Sequence, residues 1–591
     1  MRELSIPPAV TVADGDRLSD MVVDNAREVP RLVSFGRRGP DGTWADVTAA
    51  EFAAEVAAVA RGLIASGVGR GDRVALMSAT RYEWTLLDYA IWFAGAVCVP
   101  VYETSSAEQV DWILADSGAV AVVVETDTHR SLVEASSSAP ALCWTFAELP
   151  ALIAAGSSVS EEAAEERRTA VAADDVATIV YTSGTTGRPK GCVLTHRNLL
   201  ADVKAGNQVL QPVYDADGST LLFLPLAHVF GRVIEIGSVL QRSKLGHTAD
   251  VRRLPEDLRA FRPTFILAVP RVFEKAYNSA RQTAYAAGKA RIFDAAEATA
   301  IAYSRALDRN RVSPLLKARH ALFDRLVYSK IRAALGGRCT SAISGGAALG
   351  ERLGHFFRGA GITVLEGYGL TETSAGATLN LPGAQRIGSV GRPVPGTGVK
   401  IAEDGEILLR GPNVFAGYWR NQAATDEVLA DGWFRTGDLG SLDDDGYLTV
   451  TGRKKDLIVT AQGKNVAPAV LEDRLRAHPL VGQCMVVGDR QPFVAALVTV
   501  DPDAWPAWLA AHGRDAGATV ASLRDDPQLR ATVQEAVDEA NKAVSRAESI
   551  REFRILPEDF TEAGGELTPS LKVRRTEVLK RYATEVAAIY G

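Results

Sequence analysis

The 591-residue sequence has few cysteines, no long apolar run and no excess of positive charge. Its five cysteines are scattered, with no CxxC pair and no Cys/His spacing that suits zinc, which argues against a disulfide framework or a zinc site. They predict reduced, mostly buried thiols in a cytoplasmic protein. The formal net charge of −7 gives no general attraction to nucleic acid. A polyanionic ligand must therefore be held by a local group of cations.

The sequence also lacks a segment of the kind that crosses or targets a membrane. Residues 1–18 contain no apolar core of signal-peptide length. The longest apolar stretch, "YAIWFAGAVCVPVY" (89–102), is shorter than the roughly 20 residues that a membrane helix needs. No transmembrane segment is predicted, and peripheral contact with a membrane stays open.

Strand and helix patterns divide the chain into an α/β part and a β-rich part. A chain of this length exceeds a single core. Early segments such as "DRVALMS" (72–78) and "AVAVVVE" (119–125) alternate with helical patterns, which predicts parallel sheets covered by helices. Residues 398–459 show strand patterns with Asp-Gly turns, which indicates an antiparallel unit. The charge-mixed, alanine-rich pattern over 271–335 predicts two long helices, broken at 312–314.

One loop has unusual chemistry. "YTSGTTGRPKG" (181–191) follows an apolar run that predicts a buried strand. Its glycines allow backbone amides to approach an anion, while its hydroxyls and Lys190 add donors and positive charge, so it suits a polyphosphate. A flexible surface loop is the other interpretation. The Walker-type phosphate loop does not fit, because Lys190 is followed by Gly191 rather than by Ser or Thr.

This loop resembles the phosphate loop of the adenylate-forming (AMP-binding) superfamily, which includes acyl-CoA synthetases, adenylation domains of peptide synthetases and luciferases. Further motifs follow in the order of that superfamily and together span almost the whole chain: "LPLAHVFGR" (224–232), "SGGAAL" (344–349), "EGYGLTET" (366–373), "GEILLRGPNVFAGYW" (405–419), "DGWFRTGDLG" (431–440), "TGRKKDLIVTAQGKNVAP" (451–468) and "LTPSLKVRR" (567–575).

The resemblance implies a fold, a reaction and cofactors. The fold would be α/β, with a large N-terminal domain (1–452) of two βαβ-type subdomains and a β-rich subdomain, and a small mobile C-terminal α+β domain (453–591). In the reaction, a carboxylate attacks the α-phosphorus of ATP to give an acyl-adenylate and pyrophosphate, and a thiol then displaces AMP. ATP, Mg²⁺ and coenzyme A as co-substrate are therefore expected, and charge neutralisation is the catalytic problem.

By resemblance, one set of residues would hold the phosphates. In "GLTET", Thr371 matches the threonine that contacts them, and Glu372 matches the carboxylate that positions Mg²⁺. Mg²⁺ usually takes one or two carboxylates together with phosphates and waters, which agrees with this assignment. A solvated turn carboxylate is the other interpretation of Glu372. The loop residues that would wrap the β- and γ-phosphates are Thr182, Ser183, Gly184, Thr185, Thr186, Gly187 and Lys190.

A second set would hold the nucleoside. Tyr368 would stack on the adenine, because an aromatic face suits a purine, or would be a core tyrosine. Glu366 stands where relatives often have an amide near the adenine amino group. Asp438 matches the carboxylate that accepts the two ribose hydroxyls, and Arg453 matches the arginine that also reaches the ribose. The glycines that would bring main chain close to the ligand, or form turns, are Gly345, Gly346, Gly367 and Gly369.

The resemblance makes Lys572 the adenylation lysine, which bridges the incoming carboxylate and the α-phosphate. The Ser-Gly that commonly precedes this lysine is missing, and "TPSLKVRR" resembles long-chain members instead. His228 matches a histidine near the carboxylate site. Lys455 matches the hinge about which the small domain rotates between the two steps. The lysines near this junction, Lys454, Lys455 and Lys464, would attract the phosphates of CoA or form a solvated face, and the sequence favours neither.

The acid and the acceptor are predicted by similarity to long-chain fatty acyl-CoA synthetases. "VPRVFEKAY" (269–277), the helical segment through residue 335 and the "LTPSLKVRR" ending all resemble them. Since each buried methylene contributes roughly 0.8 kcal/mol, an apolar tunnel would select acids of about 12 to 18 carbons. CoA is the expected acceptor, since the chain ends soon after Lys572. A carrier-protein phosphopantetheine, or a non-catalytic nucleotide-binding regulator of the same fold, are the alternatives.

Overall fold

The computed structural model describes residues 1–39, 41–182, 188–211, 213, 217–568 and 571–591. The strands of these residues are β1 (Glu3–Ser5), β2 (Val33–Arg38), β3 (Trp44–Thr48), β4 (Arg73–Met77), β5 (Val97–Val101), β6 (Ala121–Val124), β7 (Leu142–Thr145), β8 (Val176–Thr182), β9 (Lys190–Thr195), β10 (Ser219–Leu222), β11 (Lys244–His247), β12 (Phe265–Ala268), β13 (Ser341–Ser344), β14 (Thr363–Tyr368), β15 (Thr378–Leu379), β16 (Arg392–Pro393), β17 (Gly398–Ile401), β18 (Glu406–Arg410), β19 (Gly417–Tyr418), β20 (Leu429–Ala430), β21 (Trp433–Leu442), β22 (Leu448–Arg453), β23 (Ile458–Val459), β24 (Asn465–Val466), β25 (Val481–Val487), β26 (Val494–Val500) and β27 (Ile550–Ile555).

The α-helices of the same residues are α1 (Asp20–Glu28), α2 (Ala49–Ala65), α3 (Tyr82–Phe93), α4 (Ala107–Ser117), α5 (Asp127–Glu134), α6 (Leu149–Ala155), α7 (Glu161–Thr169), α8 (His196–Val209), α9 (Val229–Gln241), α10 (Leu254–Phe261), α11 (Pro270–Ala286), α12 (Ala290–Asp308), α13 (Pro314–Phe323), α14 (Ser329–Ala334), α15 (Glu351–Gly359), α16 (Gln422–Val428), α17 (Pro468–Arg476), α18 (Trp505–Ala511), α19 (Val520–Leu523), α20 (Pro527–Asn541), α21 (Arg575–Arg581) and α22 (Ala583–Tyr590). Within the described ranges, every helix falls short of the length and apolarity needed to span a bilayer.

Two largely parallel sheets form the body of the molecule. One has the order β19-β9-β8-β5-β4-β6-β7, and the other has the order β16-β15-β14-β13-β12-β10-β11-β2-β3. Their central strands are buried at nearly every position because helices cover both faces of each sheet. The sequences of these strands are therefore continuous apolar runs. The carboxyl ends of β8, β13 and β14 carry Thr182, Ser344 and Tyr368. Ligands bind at such strand ends in α/β folds.

A third sheet is antiparallel, with the order β1-β17-β18-β21-β20 and β22 paired to β21. It corresponds to the β-rich unit that the Asp-Gly turns predict. Asp438 of β21 lies directly opposite Arg453 of β22, so the sheet register places two of the predicted site residues side by side. The expected α/β fold, with two βαβ-type sheets and a β-rich sheet, is confirmed.

The C-terminal part has a smaller sheet of its own, β25-β26-β27. One face packs against α17, α18 and α20, and the other face packs against residues between Leu556 and Tyr582. These two apolar clusters share no residue with the large core, which runs from Leu18 to Leu448. The part of the chain after β22 therefore has its own hydrophobic core.

The prediction of two long helices over 271–335 was wrong. Four α-helices cover this segment, α11 to α14, with a π-helical stretch at Asp324–Tyr328 between the last two. The break at 312–314 is confirmed, because α13 begins at Pro314 after the capping hydroxyl of Ser313. The additional break follows α11, where Gly288 adopts φ +70°, a left-handed conformation that favours glycine.

Candidate active site

One cavity of about 2020 Å³ lies between the carboxyl ends of the two large sheets, the β-rich sheet and the C-terminal part. All the predicted site residues that the structure describes line it: Thr182, Lys190, His228, Gly345, Glu366, Gly367, Tyr368, Gly369, Thr371, Glu372, Asp438, Arg453 and Lys572. Ser183, Gly184, Thr185, Thr186 and Gly187 lie outside the described residues. The fold thus brings together residues that are up to 390 positions apart in the sequence.

The β8–β9 hairpin holds both ends of the predicted phosphate loop. Thr182 and Lys190 are directly paired across the two antiparallel strands. On the Lys190 side, the indole of Trp112 in α4 donates a hydrogen bond of 2.9 Å to the Pro189 carbonyl oxygen. The Arg188 guanidinium lies 4.6 Å from the Trp112 ring centroid. The strand pairing and the tryptophan contact therefore fix where the loop leaves and re-enters the sheet.

Tyr418 connects two predicted phosphate-site residues. Its hydroxyl donates a 2.8 Å hydrogen bond to Glu372 Oε1, and the Lys190 ammonium lies 5.0 Å from its ring centroid. Burial and the Glu372 carboxylate raise the pKa of the Tyr418 phenol, so the hydroxyl stays protonated and continues to donate. The main chain of Glu372 is also fixed, because the Phe415 amide donates to its carbonyl oxygen at 2.8 Å. These contacts hold the carboxylate on the side of Tyr418 and place it near Lys190, at one end of the predicted loop.

Tyr368, Asp438 and Arg453 form a second connected group. The Tyr368 hydroxyl donates to Asp438 Oδ2 at 2.7 Å, and Arg453 Nε donates to Asp438 Oδ1 at 2.8 Å. Burial and the Asp438 carboxylate raise the pKa of the Tyr368 phenol. Asp438 is only 5% exposed, and these two donors satisfy its carboxylate oxygens. The group therefore places an aromatic ring beside a fixed carboxylate at the cavity wall.

Lys572 reaches this cavity from the C-terminal part. Its loop is closed by reciprocal bonds, since Thr568 N donates to the Lys572 carbonyl oxygen at 2.8 Å and Lys572 N donates to Thr568 Oγ1 at 3.0 Å. A Cβ placed on Gly346 would lie 3.9 Å from Lys572 Cε. The residue is exposed and lines the cavity. Burial within the cleft and repulsion by Arg453 lower the pKa of the Lys572 ammonium.

His228 caps α9, and its Nδ1 accepts a hydrogen bond from Phe230 N at 3.1 Å. Burial and the nearby Lys572 charge lower the pKa of His228 to about 3, so the imidazole is neutral near pH 7. Gly345 leaves room for Phe230, because a Cβ there would lie 2.9 Å from Phe230 Cζ. A neutral histidine and an aromatic wall therefore stand next to the Lys572 ammonium.

Glu366 is a buried residue of β14 that lines the cavity. Its Oε2 accepts a hydrogen bond of 3.0 Å from the Leu349 amide. Burial raises the pKa of Glu366 to about 7, so close to neutral pH a large fraction of this carboxyl is protonated. A protonated carboxyl has one donor and one acceptor oxygen, as an amide has one donor and one acceptor group. A protonated Glu366 can therefore donate one hydrogen bond while it accepts another from the Leu349 amide.

The cavity extends between α8 and α9, where its wall becomes apolar. Val203, Leu210, Val229 and Val233 line this part. Asp202 of α8 also lines it and is only 7% exposed. Burial raises the pKa of Asp202 well above its ordinary value, although the Gly376 amide opposes this shift by hydrogen bonding to the carboxylate. The apolar wall is suited to a hydrocarbon chain.

The comparisons with known proteins agree with this geometry. A family model described as AMP-binding enzyme matches residues 23–419, and one described as AMP-binding enzyme C-terminal domain matches residues 455–591. The chain belongs to the AMP-binding enzyme family. Family membership implies an adenine nucleotide as ligand, as the phosphate-loop motif predicts.

Relatives of this AMP-binding enzyme include two proteins of similar length. The long-chain-fatty-acid–CoA ligases FadD15 of Mycobacterium bovis and Mycobacterium tuberculosis are each 53% identical to it over 600 residues, which cover 100% of both chains. The A domain of carboxylic acid reductase from Segniliparus rugosus, solved with AMP and a co-purified carboxylic acid, matches with a TM-score of 0.74 at 20% identity. That match covers 98% of this chain and 95% of the other, and it supports the fold alone.

Sequence reasoning missed two residues of this AMP-binding enzyme's cavity. Tyr418 lies inside a quoted motif, "GEILLRGPNVFAGYW", but only the structure shows that it joins Glu372 to Lys190. Asp202 lies in a helical pattern whose charged residues are expected to face solvent, and nothing local marks it as buried.

Two of the three junction lysines form ion pairs within the protein, since Lys454 contacts Asp404 at 2.6 Å and Lys464 contacts Glu548 at 3.2 Å.

Proposed function

We propose that this AMP-binding enzyme is a long-chain-fatty-acid–CoA ligase that forms AMP and pyrophosphate. The observation that carries the proposal is the position of Lys572, which enters the same cavity as the Asp438–Arg453 pair and Glu372. The full-length similarity to the two FadD15 ligases supports the same activity. A cation at the point where a carboxylate meets a nucleotide phosphate is what acid activation requires.

In the first step, a carboxylate oxygen of the fatty acid attacks the α-phosphorus of ATP. A new P–O bond forms, the bond to the bridging oxygen of the β-phosphate breaks, and pyrophosphate leaves. The Lys572 ammonium offsets the repulsion between the two anions. Lys190 and Thr182 hold the departing phosphates, and Thr371 contacts them beside Glu372. His228, neutral and next to Lys572, lines the position of the reacting carboxylate.

In the second step, the thiol sulfur of CoA attacks the acyl carbon of the adenylate. A C–S bond forms, the C–O bond to AMP breaks, AMP leaves as the phosphate anion, and the thiol proton goes to solvent. We propose that residues 453–591 are the small domain, which rotates about Lys455 between the steps, and that residues 1–452 are the large domain. The separate cores of the two parts support a rigid-body movement.

The donor set at Glu372 fits Mg²⁺. This ion is commonly held by one or two carboxylates, with phosphate oxygens and waters completing its coordination. Glu372 Oε1 is oriented by Tyr418, and Glu372 lines the same cavity as Thr182 and Lys190. Bound Mg²⁺ would neutralise charge on the phosphates of ATP. We propose Glu372 as its protein ligand.

The apolar wall between α8 and α9 supports a fatty acid as the substrate. Each methylene buried there contributes roughly 0.8 kcal/mol, so acids of about 12 to 18 carbons are favoured over acetate. A profile of turnover against chain length tests this preference, and acetate turnover equal to that of palmitate would contradict it.

The test of the activity uses the full chain with ATP, Mg²⁺ and palmitate, with and without CoA. We expect ATP–pyrophosphate exchange without CoA and palmitoyl-CoA with it. Lys572→Ala should reduce exchange by about 100-fold or more, because it removes the charge that the first step needs, and should leave ATP binding largely intact. Lys580→Ala, an exposed lysine of α21, is the matched control.

Two outcomes would contradict parts of the proposal. Exchange by Lys572→Ala at the wild-type rate would remove Lys572 from the chemistry. Rapid AMP release that does not respond to CoA would favour a carrier-protein phosphopantetheine as the acceptor.

A further inference from the structure

Polar side-chain contacts between the large and small domains, as proposed above, include one group at the junction and one group away from it. Among the described residues, side-chain hydrogen bonds and ion pairs at the junction involve Arg453 and Lys454. A second group lies away from the junction, on α11 and α15 of the large domain. There Arg271 contacts Asp501, Lys275 contacts Asp503, and Arg352 donates to the Ala477 carbonyl oxygen.

The Arg271–Asp501 pair is the most enclosed of the ion pairs in this second group. Arg271 Nη2 lies 2.9 Å from Asp501 Oδ2, and the two side chains are only 12% and 5% exposed. The Lys275–Asp503 pair is longer, at 3.5 Å, and its side chains are 59% and 71% exposed. An enclosed pair is much more sensitive to the loss of one partner than an exposed pair, because the remaining charge stays desolvated.

Both partners are held in place before they meet. Arg271 Nη1 donates to Glu274 Oε2 at 3.2 Å, one turn along α11. Asp501 Oδ1 accepts from the Asp503 amide at 2.8 Å at the end of β26, so its other oxygen is free to face Arg271. Each side of the contact is therefore oriented by its own domain. Such a contact forms fully in one relative position of the two domains.

This position is the one that brings Lys572 into the cavity. Val269 and Arg271 both follow closely after the end of β12. A Cβ placed on Gly346 would lie 3.8 Å from Val269 Cγ1. Lys572 Cε would lie 3.9 Å from that same Cβ. The start of α11 thus lies near the Lys572 side chain and also carries the arginine that binds Asp501.

We propose that Arg271 is a positioning residue, which through Asp501 holds the small domain where Lys572 can serve the first step. Arg271 lines the same cavity, and its guanidinium forms ion pairs with Glu274 and Asp501. The pair has to separate before the small domain rotates for the second step, and separation exposes both charges to water. The inference rests on the proposed function, because it assigns different domain positions to the two steps.

The experiment measures the two steps separately in the full-length protein. Arg271→Ala should reduce ATP–pyrophosphate exchange with palmitate by about 10- to 100-fold, as the loss of an enclosed charge pair predicts. The conversion of purified palmitoyl-AMP and CoA to palmitoyl-CoA should remain within about twofold of wild type or increase. Lys275→Ala, on the same helix, should change neither rate, because its pair is exposed.

Asp501→Asn provides a second test that leaves the large domain untouched. It should reproduce the loss in the first step, and the Arg271→Ala/Asp501→Asn double variant should be no slower than the worse single variant, since both remove one interaction. Equal losses in both steps, no loss in either variant, or fully additive losses would overturn the proposal. Absence of both steps in the wild type would instead refute the proposed function.

Discussion

Replacing Asp438 by asparagine tests the nucleoside site directly. Asp438 accepts hydrogen bonds from the Tyr368 hydroxyl at 2.7 Å and from Arg453 Nε at 2.8 Å, and it is 5% exposed. The asparagine has nearly the same shape but no charge and one acceptor oxygen. The change therefore removes the counter-ion of Arg453 and one of two oxygens that we expect to receive the ribose hydroxyls.

The magnitude follows from these contacts. A hydrogen bond to a charged group contributes about 1.5–3 kcal/mol, and the amide retains part of the acceptor capacity. A loss of about 2–3 kcal/mol corresponds to roughly 30- to 150-fold weaker ATP binding. Tyr368→Phe is the matched comparison, because it removes one donor to Asp438 and keeps the ring. We expect a loss of about 1 kcal/mol, or roughly fivefold, for that variant.

The assay is calorimetric titration of ATP into each variant, together with the KM for ATP in pyrophosphate exchange. Thermal melting checks that the variants are folded, and the KM for palmitate should stay near the wild-type value because Asp438 is expected to contact the nucleoside. If folded Asp438→Asn binds ATP within twofold of wild type, the assignment of Asp438 to the ribose is refuted.

Three further predictions concern buried positions. Gly345→Ala places a methyl group 2.9 Å from Phe230 Cζ. The resulting overpacking, of about 1–3 kcal/mol, should raise the KM for acid or ATP by roughly tenfold. Unchanged kinetics would contradict the packing argument. Burial lowers the pKa of His196 and His247 from 6.5 to about 3. Between pH 7 and pH 5 these histidines therefore take up protons in the unfolded chain but not in the folded chain, and each histidine should lower the free energy of unfolding by roughly 2 kcal/mol. Melting curves against pH check this, because the melting temperature of His196→Gln should fall less steeply with decreasing pH than that of the wild type. Burial raises the pKa of Asp202, so this carboxyl should destabilise the fold increasingly as pH rises above about 4. The melting temperature of Asp202→Asn should therefore exceed that of the wild type at pH 8 and equal it near pH 4.

Part of the candidate site could be predicted from local sequence because short motifs contain the whole chemical unit. The strand, the glycines, the hydroxyls and Lys190 of the phosphate loop are contiguous, so their combination by itself indicates polyphosphate binding. The Asp438–Arg453 pairing is nearly as local, because one β-hairpin sets both positions by its register. Alternation of buried strands and helices likewise predicts the parallel sheets.

Helix number was less predictable than helix existence. The segment 271–335 has a clear helical pattern, but two helices were expected there and it forms four. The break at Gly288 depends on one left-handed residue, and the π-helical stretch at Asp324–Tyr328 depends on what packs around it. Glycine is tolerated within helices at a modest cost, so its position alone does not decide whether a helix ends there.

The sequence by itself determined the chemistry: which cations, carboxylates and aromatic rings are available, and in what order along the chain. Only the tertiary structure decided which of them meet. Tyr418 joins Glu372 to Lys190, and Arg271 joins Asp501 across 230 residues of chain. No periodicity or motif carries such information, because a contact between distant segments depends on how separate sheets and domains pack, and that packing is set by the sum of many weak apolar contacts.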